Sequence, residues 1–291
     1  MNTMHAQELA QGQRFAFGQN WASFLRTLND VRIQEAERSL RQMLEIDSLM
    51  GRTFLDVGSG SGLSSLAARR LGGRVHSFDF DPESVACTVE LRRRYFPDDS
   101  DWTVEGGSVL DTEYLASLGQ FDVVYSWGVL HHTGRMWDAM ENIVSLVRAT
   151  RGRVFIAIYN TSAYSRRWRV IKHTYCRLPT ILRPLFAFVV IAPIQLNEIV
   201  NAAIRLKLGG YISNILNYKA KRGMSWWHDQ IDWLGGYPYE TANPEEVFDF
   251  FRKHGFYLQK MITCGGGDWV QPVRLCKGNY TYLMHGWTDR S

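Results

Sequence analysis

The chain has 291 residues, and its 45% hydrophobic share excludes a disordered protein and is sufficient for a large buried core. Its four cysteines form no C-x-x-C pair and no zinc-like spacing with histidine, which predicts reduced thiols, a cytoplasmic location and no metal site. The net charge of +4 is uneven, because residues 161–222 contain eleven Lys or Arg and the single acid Glu198. This asymmetry is typical of a surface for an anionic partner, or of a solvated helical face.

The first 50 residues are predicted to be helical. Trp21, Phe24, Leu25 and Leu28 recur at i, i+3, i+4 and i+7, the spacing of an amphipathic helix. The first 18 residues are polar and predict no signal peptide.

Strands and helices then alternate from residue 53 to residue 159. The predicted strands are 53–57, 74–78, 102–105, 121–126 and 153–159, and the predicted helices are 63–71, 82–95 and 137–147. This alternation predicts a doubly wound, mostly parallel Rossmann-like α/β sheet with right-handed crossovers. A helix that begins at Asn243 and Pro244 and a closing pair of strands, 256–263 and 280–285, complete it. The predicted core domain is therefore 51–160 together with 244–291.

Residues 161–243 interrupt this pattern and predict a helical insertion after the fifth strand. Three interpretations are open. The insertion is a lid over the substrate, an apolar face on an anionic membrane formed by residues 186–191, or a nucleic-acid surface on which Trp168 and Tyr175 stack. Its position beyond the carboxyl end of a strand favours the lid. Its longest charge-free run, Pro184 to Asn197, contains Pro193 and is shorter than the roughly 18 residues that cross a bilayer, so no spanning helix is predicted.

A glycine-rich loop follows the first strand. Gly58, Gly60 and Gly62 lack Cβ atoms, which allows the backbone to approach a ligand in front of a helix N-terminus. Leu63 stands where the dinucleotide fingerprint requires its last glycine. Asp56, beside the loop, would repel a pyrophosphate and suits a cationic ligand, so a nicotinamide-dependent oxidoreductase is disfavoured.

Asp79 ends the second strand about 20 residues after the loop, where an acid can accept hydrogen bonds from ribose hydroxyls. The alternative role is a cap or turn before Pro82, for which Asp81 is the stronger candidate.

The ordered motifs LDVGSGSG, a strand ending in Asp79, GGSVLD and FDVVYSWGVLHH resemble the class I S-adenosylmethionine-dependent methyltransferase family over roughly residues 54–159. The VLHH segment is similar to ubiquinone-type O-methyltransferases and to a wobble-uridine carboxymethyl transferase of tRNA. The resemblance implies S-adenosylmethionine as cofactor, with its methionine part at the glycine loop, its ribose on Asp79 and its adenine near residues 107–109. The predicted cofactor-binding residues are Asp56, Gly58, Ser59, Gly60, Gly62, Asp79, Phe80, Ser108, Val109, Ser126 and Trp127.

Two histidine clusters are candidates for a general base. His131 and His132 follow the fourth strand, and His132 is preferred; the alternative is that one of them shapes the cofactor pocket through a backbone hydrogen bond. His228 and Asp232 fall at i and i+4 on a predicted helix and suit a His–Asp dyad, or a core tryptophan cluster with capping acids. Residues 265–269, three glycines followed by Asp and Trp, predict a loop near the substrate or a hairpin turn.

The expected function is methylation, on oxygen, of a small molecule or saccharide. An RNA-modifying enzyme with the same cofactor is the nearest alternative, and an inactive cofactor-binding partner protein is another. Nucleic acid is the less favoured partner, and peripheral membrane contact stays open. The sequence does not determine the oligomeric state.

Overall fold

The computed structural model describes residues 2–216, 226–262 and 270–277. These residues form one seven-stranded sheet with the order β3-β2-β1-β4-β5-β7-β6. The strands are β1 Thr53–Val57, β2 Arg74–Asp79, β3 Trp102–Gly106, β4 Val123–Trp127, β5 Arg153–Tyr159, β6 Phe256–Met261 and β7 Val270–Lys277. The first five strands are parallel, and β7 runs antiparallel to both β5 and β6. The predicted doubly wound, mostly parallel α/β fold is confirmed.

Helices cover both faces of this sheet, so its strands are apolar on both sides. Neighbouring residues on a strand belong to opposite cores. Phe54 and Phe155 pack in one core, and Leu55 and Ile156 pack in the other. This arrangement explains why the strands have continuous apolar sequences rather than an alternating pattern.

Several helices begin at recognisable capping residues. Asp81 precedes Pro82 and accepts a hydrogen bond from the Glu83 amide at 2.9 Å. The predicted start at Asn243 is confirmed by a capping box with Glu246. The helices are α1 Asn2–Ala10, α2 Gly18–Leu25, α3 Asp30–Leu44, α4 Leu63–Arg70, α5 Pro82–Tyr95, α6 Thr112–Leu118, α7 Met136–Ser145, α8 Ser165–Arg177, α9 Arg183–Ile204, α10 Leu208–Leu216, α11 Trp226–Gly235 and α12 Pro244–Lys253.

One sequence prediction is not tested here, and another fails. The partner strand of β6 is β7, Val270–Lys277, whereas the predicted partner 280–285 and the loop 265–269 lie outside the described residues. Pro193 does not end its helix, because α9 continues through it for 22 residues. By length and composition alone α9 is therefore long and apolar enough to cross a membrane, contrary to the expectation from the charge-free run.

Candidate functional site

A cavity of about 910 Å³ opens at the carboxyl ends of the parallel strands. It lies where the strand order reverses between β1 and β4, the position at which open α/β sheets bind ligands. Its walls come from the glycine loop, the end of β2, the loop after β3, the segment after β4 and the N-terminal helices. The residues that line it include Asp56, Gly58, Ser59, Gly60, Asp79, Phe80, Ser108, Val109, Trp127, His132, Arg14 and Trp21.

The glycine loop has a backbone conformation and close contacts that exclude residues with a Cβ atom. Gly58 has a φ of +79°, and a Cβ built on it would lie 2.4 Å from Val129 Cγ1. Gly62 also has a positive φ, and its Cβ would lie 2.9 Å from the Thr88 backbone. Gly62 starts helix α4 and does not line the cavity, so its role is to shape the loop.

Two carboxyl groups face this cavity, the buried Asp56 and the half-buried Asp79. Asp79 accepts hydrogen bonds from the amides of Gly60 and Asp81, both at 2.9 Å. Asp56, which is 2% exposed, accepts a hydrogen bond from the Ser65 hydroxyl. Burial raises the pKa of Asp56 to about 7 and the pKa of Asp79 to about 6. A bound cation would offset this cost of burial.

A hydrogen-bond chain fixes the position of Asp56. The Trp102 indole donates to Ser77 Oγ at 3.0 Å, and Ser77 Oγ donates to Ser65 Oγ at 2.7 Å. Ser65 in turn donates to Asp56. Sequence reasoning did not identify Ser65 or Ser77, because their partners lie on separate elements.

The loop after β3 and the end of β2 form the next part of the wall. Ser108 accepts a hydrogen bond from the Leu110 amide at 3.2 Å, and Val109 lies beside it. Asp111 caps α6 and also lines the cavity. Phe80 lies 4.8 Å from the Arg14 guanidinium, which stacks on its ring.

The two predicted contacts at the end of β4 differ. Trp127 is 41% exposed, stacks on Phe155 and lines the cavity. Ser126 is fully buried and donates its hydroxyl to the Val57 carbonyl at 3.0 Å. Ser126 therefore joins β4 to β1 and does not line the cavity, contrary to the prediction.

His132 is the candidate base that reaches the cavity. Its Nδ1 lies 2.6 Å from the Pro238 carbonyl oxygen. A carbonyl oxygen only accepts hydrogen bonds, so Nδ1 carries the proton and Nε2 keeps a lone pair. Burial lowers the pKa of His132 to about 3, which keeps the ring neutral at physiological pH.

Two other proposed catalytic groups, His131 and Asp232, do not line the cavity. His131 is 1% exposed and contacts the rings of His132 and Tyr159. Asp232 belongs to α11, where burial raises its pKa to about 7. His228 lies on the same helix, but its side chain is outside the described part of the structure. The described part of the structure therefore does not place the predicted His228–Asp232 dyad at this cavity.

An N-terminal strap, residues 2–25, covers the cavity. Seven lining residues belong to it: Met4, His5, Glu8, Arg14, Phe15, Phe17 and Trp21. The Gly18 amide donates to Asp81 at 2.8 Å, and Arg14 Nη1 donates to the His132 carbonyl at 3.1 Å. The Phe15 amide donates to the Tyr237 carbonyl at 2.9 Å. These contacts bind the strap to the sheet and to the insertion.

Comparison with known families identifies the central part of the chain. Residues 55–154 match the family model described as Methyltransferase domain. This segment is a class I S-adenosylmethionine-dependent methyltransferase domain. It contains the glycine loop, both carboxyl groups and His132, and the predictions of this family and of its cofactor are confirmed.

Curated relatives match only part of the chain. The tRNA U34 carboxymethyltransferase of Pseudoalteromonas translucida is 30% identical over 109 residues, 37% of this chain and 32% of the relative. The ribosomal protein L11 methyltransferase of Methylococcus capsulatus is 43% identical over 54 residues, 18% of each chain. The chain thus spans less than a third of the length of these two relatives.

A solved structure shares the fold over a longer stretch. The magnesium protoporphyrin IX methyltransferase of Synechocystis PCC 6803, with bound SAH, superposes with a TM-score of 0.52 at 12% identity. The superposition covers 89% of this chain and 95% of that one. It supports the fold of the methyltransferase domain and of the elements around it.

The cavity fits the cofactor of a methyltransferase domain. S-adenosylmethionine carries a sulfonium and an ammonium group, and Asp56 and Asp79 place two carboxyl groups in the wall. Val129 occupies the space that a Cβ on Gly58 would need, so the loop presents its backbone without a side chain at this position. A pyrophosphate would meet the Asp56 carboxylate instead of a favourable partner.

The roof of the methyltransferase domain differs from the predicted lid. Among the described residues, none from 161–243 lines the cavity, whereas the N-terminal strap does. The insertion contacts the cavity wall indirectly. The Pro238 carbonyl accepts a hydrogen bond from His132, and the Tyr237 carbonyl accepts one from the strap. The sequence signal for this roof is a set of closely spaced residues outside any strand pattern. They are Arg14, Phe15, Phe17 and Trp21.

Proposed function

We propose that the protein transfers the methyl group of S-adenosylmethionine to an oxygen atom of a small molecule or saccharide. The observation that carries the proposal is the arrangement of one cavity. Two carboxyl groups beside a glycine loop form one part of its wall, and a neutral histidine with a free Nε2 lone pair forms another. The covering strap and the volume of about 910 Å³ favour an acceptor of modest size.

The side chains divide the work between binding and proton transfer. Asp56 and Asp79 would hold the positive charge and a ribose hydroxyl of the cofactor. When bound, S-adenosylmethionine supplies an electrophilic methyl carbon and a neutral thioether leaving group. His132 Nε2 accepts the acceptor's hydroxyl proton as the new carbon–oxygen bond forms, and the Pro238 carbonyl keeps the ring in the required tautomer.

The strap supplies the second requirement, which is exclusion of water. Phe17 lies with its ring 5.1 Å from that of His132, and Trp21 lies against Gly60. Apolar side chains at these positions keep the methyl donor and the acceptor hydroxyl aligned, and orientation can lower a barrier by about 7–11 kcal/mol.

Calorimetry with S-adenosylmethionine and NAD tests the cofactor assignment. We expect saturable binding of S-adenosylmethionine and no binding of NAD. A panel of phenols, sugars and amines is then assayed for formation of S-adenosylhomocysteine. Turnover with hydroxyl acceptors supports the proposal, and turnover confined to amines contradicts oxygen methylation.

RNA modification is the second candidate, favoured by the 30–32% identity to tRNA U34 carboxymethyltransferases over 109 and 111 residues. The basic residues of 161–222, apart from the buried Lys172, would then contact phosphates. Co-purification of RNA, seen as a high 260/280 absorbance ratio, with methylated or carboxymethylated tRNA as product, would establish this alternative. Nucleic-acid-free protein that methylates small hydroxyl acceptors would reject it.

A further inference from the structure

Helix α9 presents one long apolar stripe to solvent. Its large side chains are between 40% and 63% exposed, and they recur at i, i+3, i+4, i+11, i+14 and i+15, the spacing of a single helical face. The stripe consists of Leu185, Phe188, Val189, Leu196, Ile199 and Val200. Soluble surfaces seldom expose a contiguous apolar patch of this kind without a binding partner.

The other face of α9 packs against the protein. Ala187 and Ile191 are almost fully buried in a small core with Tyr175 of α8 and Leu234 of α11. The one acid of the helix, Glu198, lies two residues after Leu196 and so points away from the stripe. Arg183, at the start of the helix, donates to the Leu178 and Cys176 carbonyls and also lies off the stripe. The helix is therefore held along the surface, with its apolar face outward and both of its charged residues elsewhere.

Helix α10 extends this apolar surface. Tyr211 donates its hydroxyl to Gln195 Oε1 at 2.8 Å, which ties α10 to α9. Leu208, Ile212 and Leu216 of α10 are 39%, 49% and 78% exposed.

A second cavity, of about 720 Å³, lies between α9 and α11 and is lined almost wholly by apolar side chains. Phe188 and Leu196 of the stripe belong to its wall, and so do Trp226 and Trp227. Trp227 is 38% exposed, and tryptophan is enriched where membranes meet water. The apolar surface thus continues from the stripe into a groove with an amphipathic rim.

The charge around this surface identifies its partner. Arg205 and Lys207 are exposed at the turn between α9 and α10, within a segment whose balance is +10. Such a segment attracts anionic lipid headgroups and disfavours a second copy of itself. A nucleic acid would match the charge, but it would leave the apolar stripe in water.

We propose that α9 and α10 bind the protein, parallel to the membrane plane, to the surface of an anionic lipid bilayer. The apolar stripe enters the boundary between headgroups and acyl chains, and Arg205 and Lys207 contact the headgroups. The packed face of α9 excludes a spanning orientation as long as α8 and α11 stay in place. Since neither α9 nor α10 lines the cofactor cavity among the described residues, this function is separate from methyl transfer.

Sedimentation with vesicles tests the proposal. The intact protein should pellet with vesicles of 70% phosphatidylcholine and 30% phosphatidylglycerol, and at least tenfold less with pure phosphatidylcholine or in high salt. The triple variant Phe188→Gln, Val189→Gln and Leu196→Gln should lose this binding. A matched triple, Val31→Gln, Met50→Gln and Val89→Gln, removes three exposed apolar side chains elsewhere and should retain it.

S-adenosylmethionine affinity within twofold of the intact protein serves as the folding control for both variants. If the stripe variant fails this control, Arg205→Gln with Lys207→Gln replaces it and should weaken binding to the anionic vesicles alone. A blue-shifted tryptophan emission that brominated lipid quenches would support insertion at the Trp227 rim. Equal pelleting of both triple variants, or no pelleting of the intact protein, overturns the proposal. A dimer that the stripe variant converts to a monomer, without vesicle binding, would instead assign the surface to a second copy.

Discussion

A single backbone carbonyl determines what His132 can do. The Pro238 oxygen fixes the proton on Nδ1, and the half-buried ring stays neutral because its pKa is lowered to about 3. A weak base of this kind accepts a proton only as the hydroxyl loses it in the transition state. His131, one residue earlier, faces Tyr159 and lacks access to the cavity.

Replacing His132 with asparagine should lower kcat by roughly 10²–10⁴-fold, because general base catalysis is lost while an amide donor to the Pro238 carbonyl is kept. S-adenosylmethionine affinity, measured by calorimetry, should be unchanged. His254→Asn, at a histidine that contacts Glu141 outside the cavity, is the matched control and should retain the full rate. A kcat within threefold of the intact enzyme would remove His132 from the chemistry.

The carboxyl pair makes cofactor affinity depend on pH. Asp56 and Asp79 have pKa values raised to about 7 and about 6, so both are partly protonated in the free protein near pH 6. A cationic ligand favours the ionised forms, lowers both pKa values and releases protons on binding. Affinity should therefore rise from pH 5 to about pH 7.5 and then level off.

Calorimetry in buffers of different ionisation enthalpy measures this proton release directly. Affinity that falls as pH rises would contradict the assignment of the carboxyl groups to a cation. Asp79→Asn should remove part of the pH dependence and weaken binding by about 1.5–3 kcal/mol, the usual contribution of a hydrogen bond to a charged group. Asp111→Asn, in the same wall but at a helix cap, should change affinity little.

Among the elements, the N-terminal strap contributes most to enclosing the cavity. A Cβ on Gly60 would lie 3.2 Å from the Trp21 indole, so α2 packs directly on the glycine loop. Cofactor and strap therefore share a surface, and each should stabilise the other.

Trp21→Ala should weaken S-adenosylmethionine binding about tenfold, or about 1.4 kcal/mol, because the loop loses the indole that covers it. Trp137→Ala is the matched control, since Trp137 is 37% exposed and contacts Phe250 outside the cavity. Equilibrium titration of both variants distinguishes the outcomes. Equal affinities would show that the strap does not contribute to the cofactor site.

The contrast between the strap and the sheet shows what sequence patterns can reveal. The start of α5 at Pro82 and the whole of β5 were predicted to the residue, because hydrophobic period and capping are local signals. The position of Asp79 followed from the end of β2 in the same way. These features need no knowledge of distant parts of the chain.

The remaining features depend on distant partners. The role of Ser126 follows from the Val57 carbonyl, and the choice between His131 and His132 follows from Pro238. The length of α9 was underestimated because Pro193 and the flanking charges were treated as ends, although tertiary packing carries the helix through them. Neither the hydrogen-bond partners in distant parts of the chain nor the tertiary packing is encoded within a short window of sequence.

At the scale of the whole molecule, ligand binding should raise the free energy of unfolding. S-adenosylmethionine at 100 times its Kd should stabilise the folded protein by about 2.7 kcal/mol, because it binds the folded state alone. A thermal scan should show a Tm that rises by several degrees with S-adenosylmethionine, and no rise with NAD at the same concentration. Equal shifts with both ligands would contradict selectivity for a sulfonium ligand.

The contacts of the strap also set an order of events during folding. Gly18 must meet Asp81, 63 residues later, and Arg14 must meet His132, 118 residues later. Contacts between such distant residues form late, since chain entropy is lost before any contact free energy is gained. The strap is thus expected to dock last, which pulsed hydrogen exchange on α1 and α2 would detect. Until that step the cleft is uncovered, so a nascent chain should exchange its cofactor quickly and gain slow release only when the strap closes.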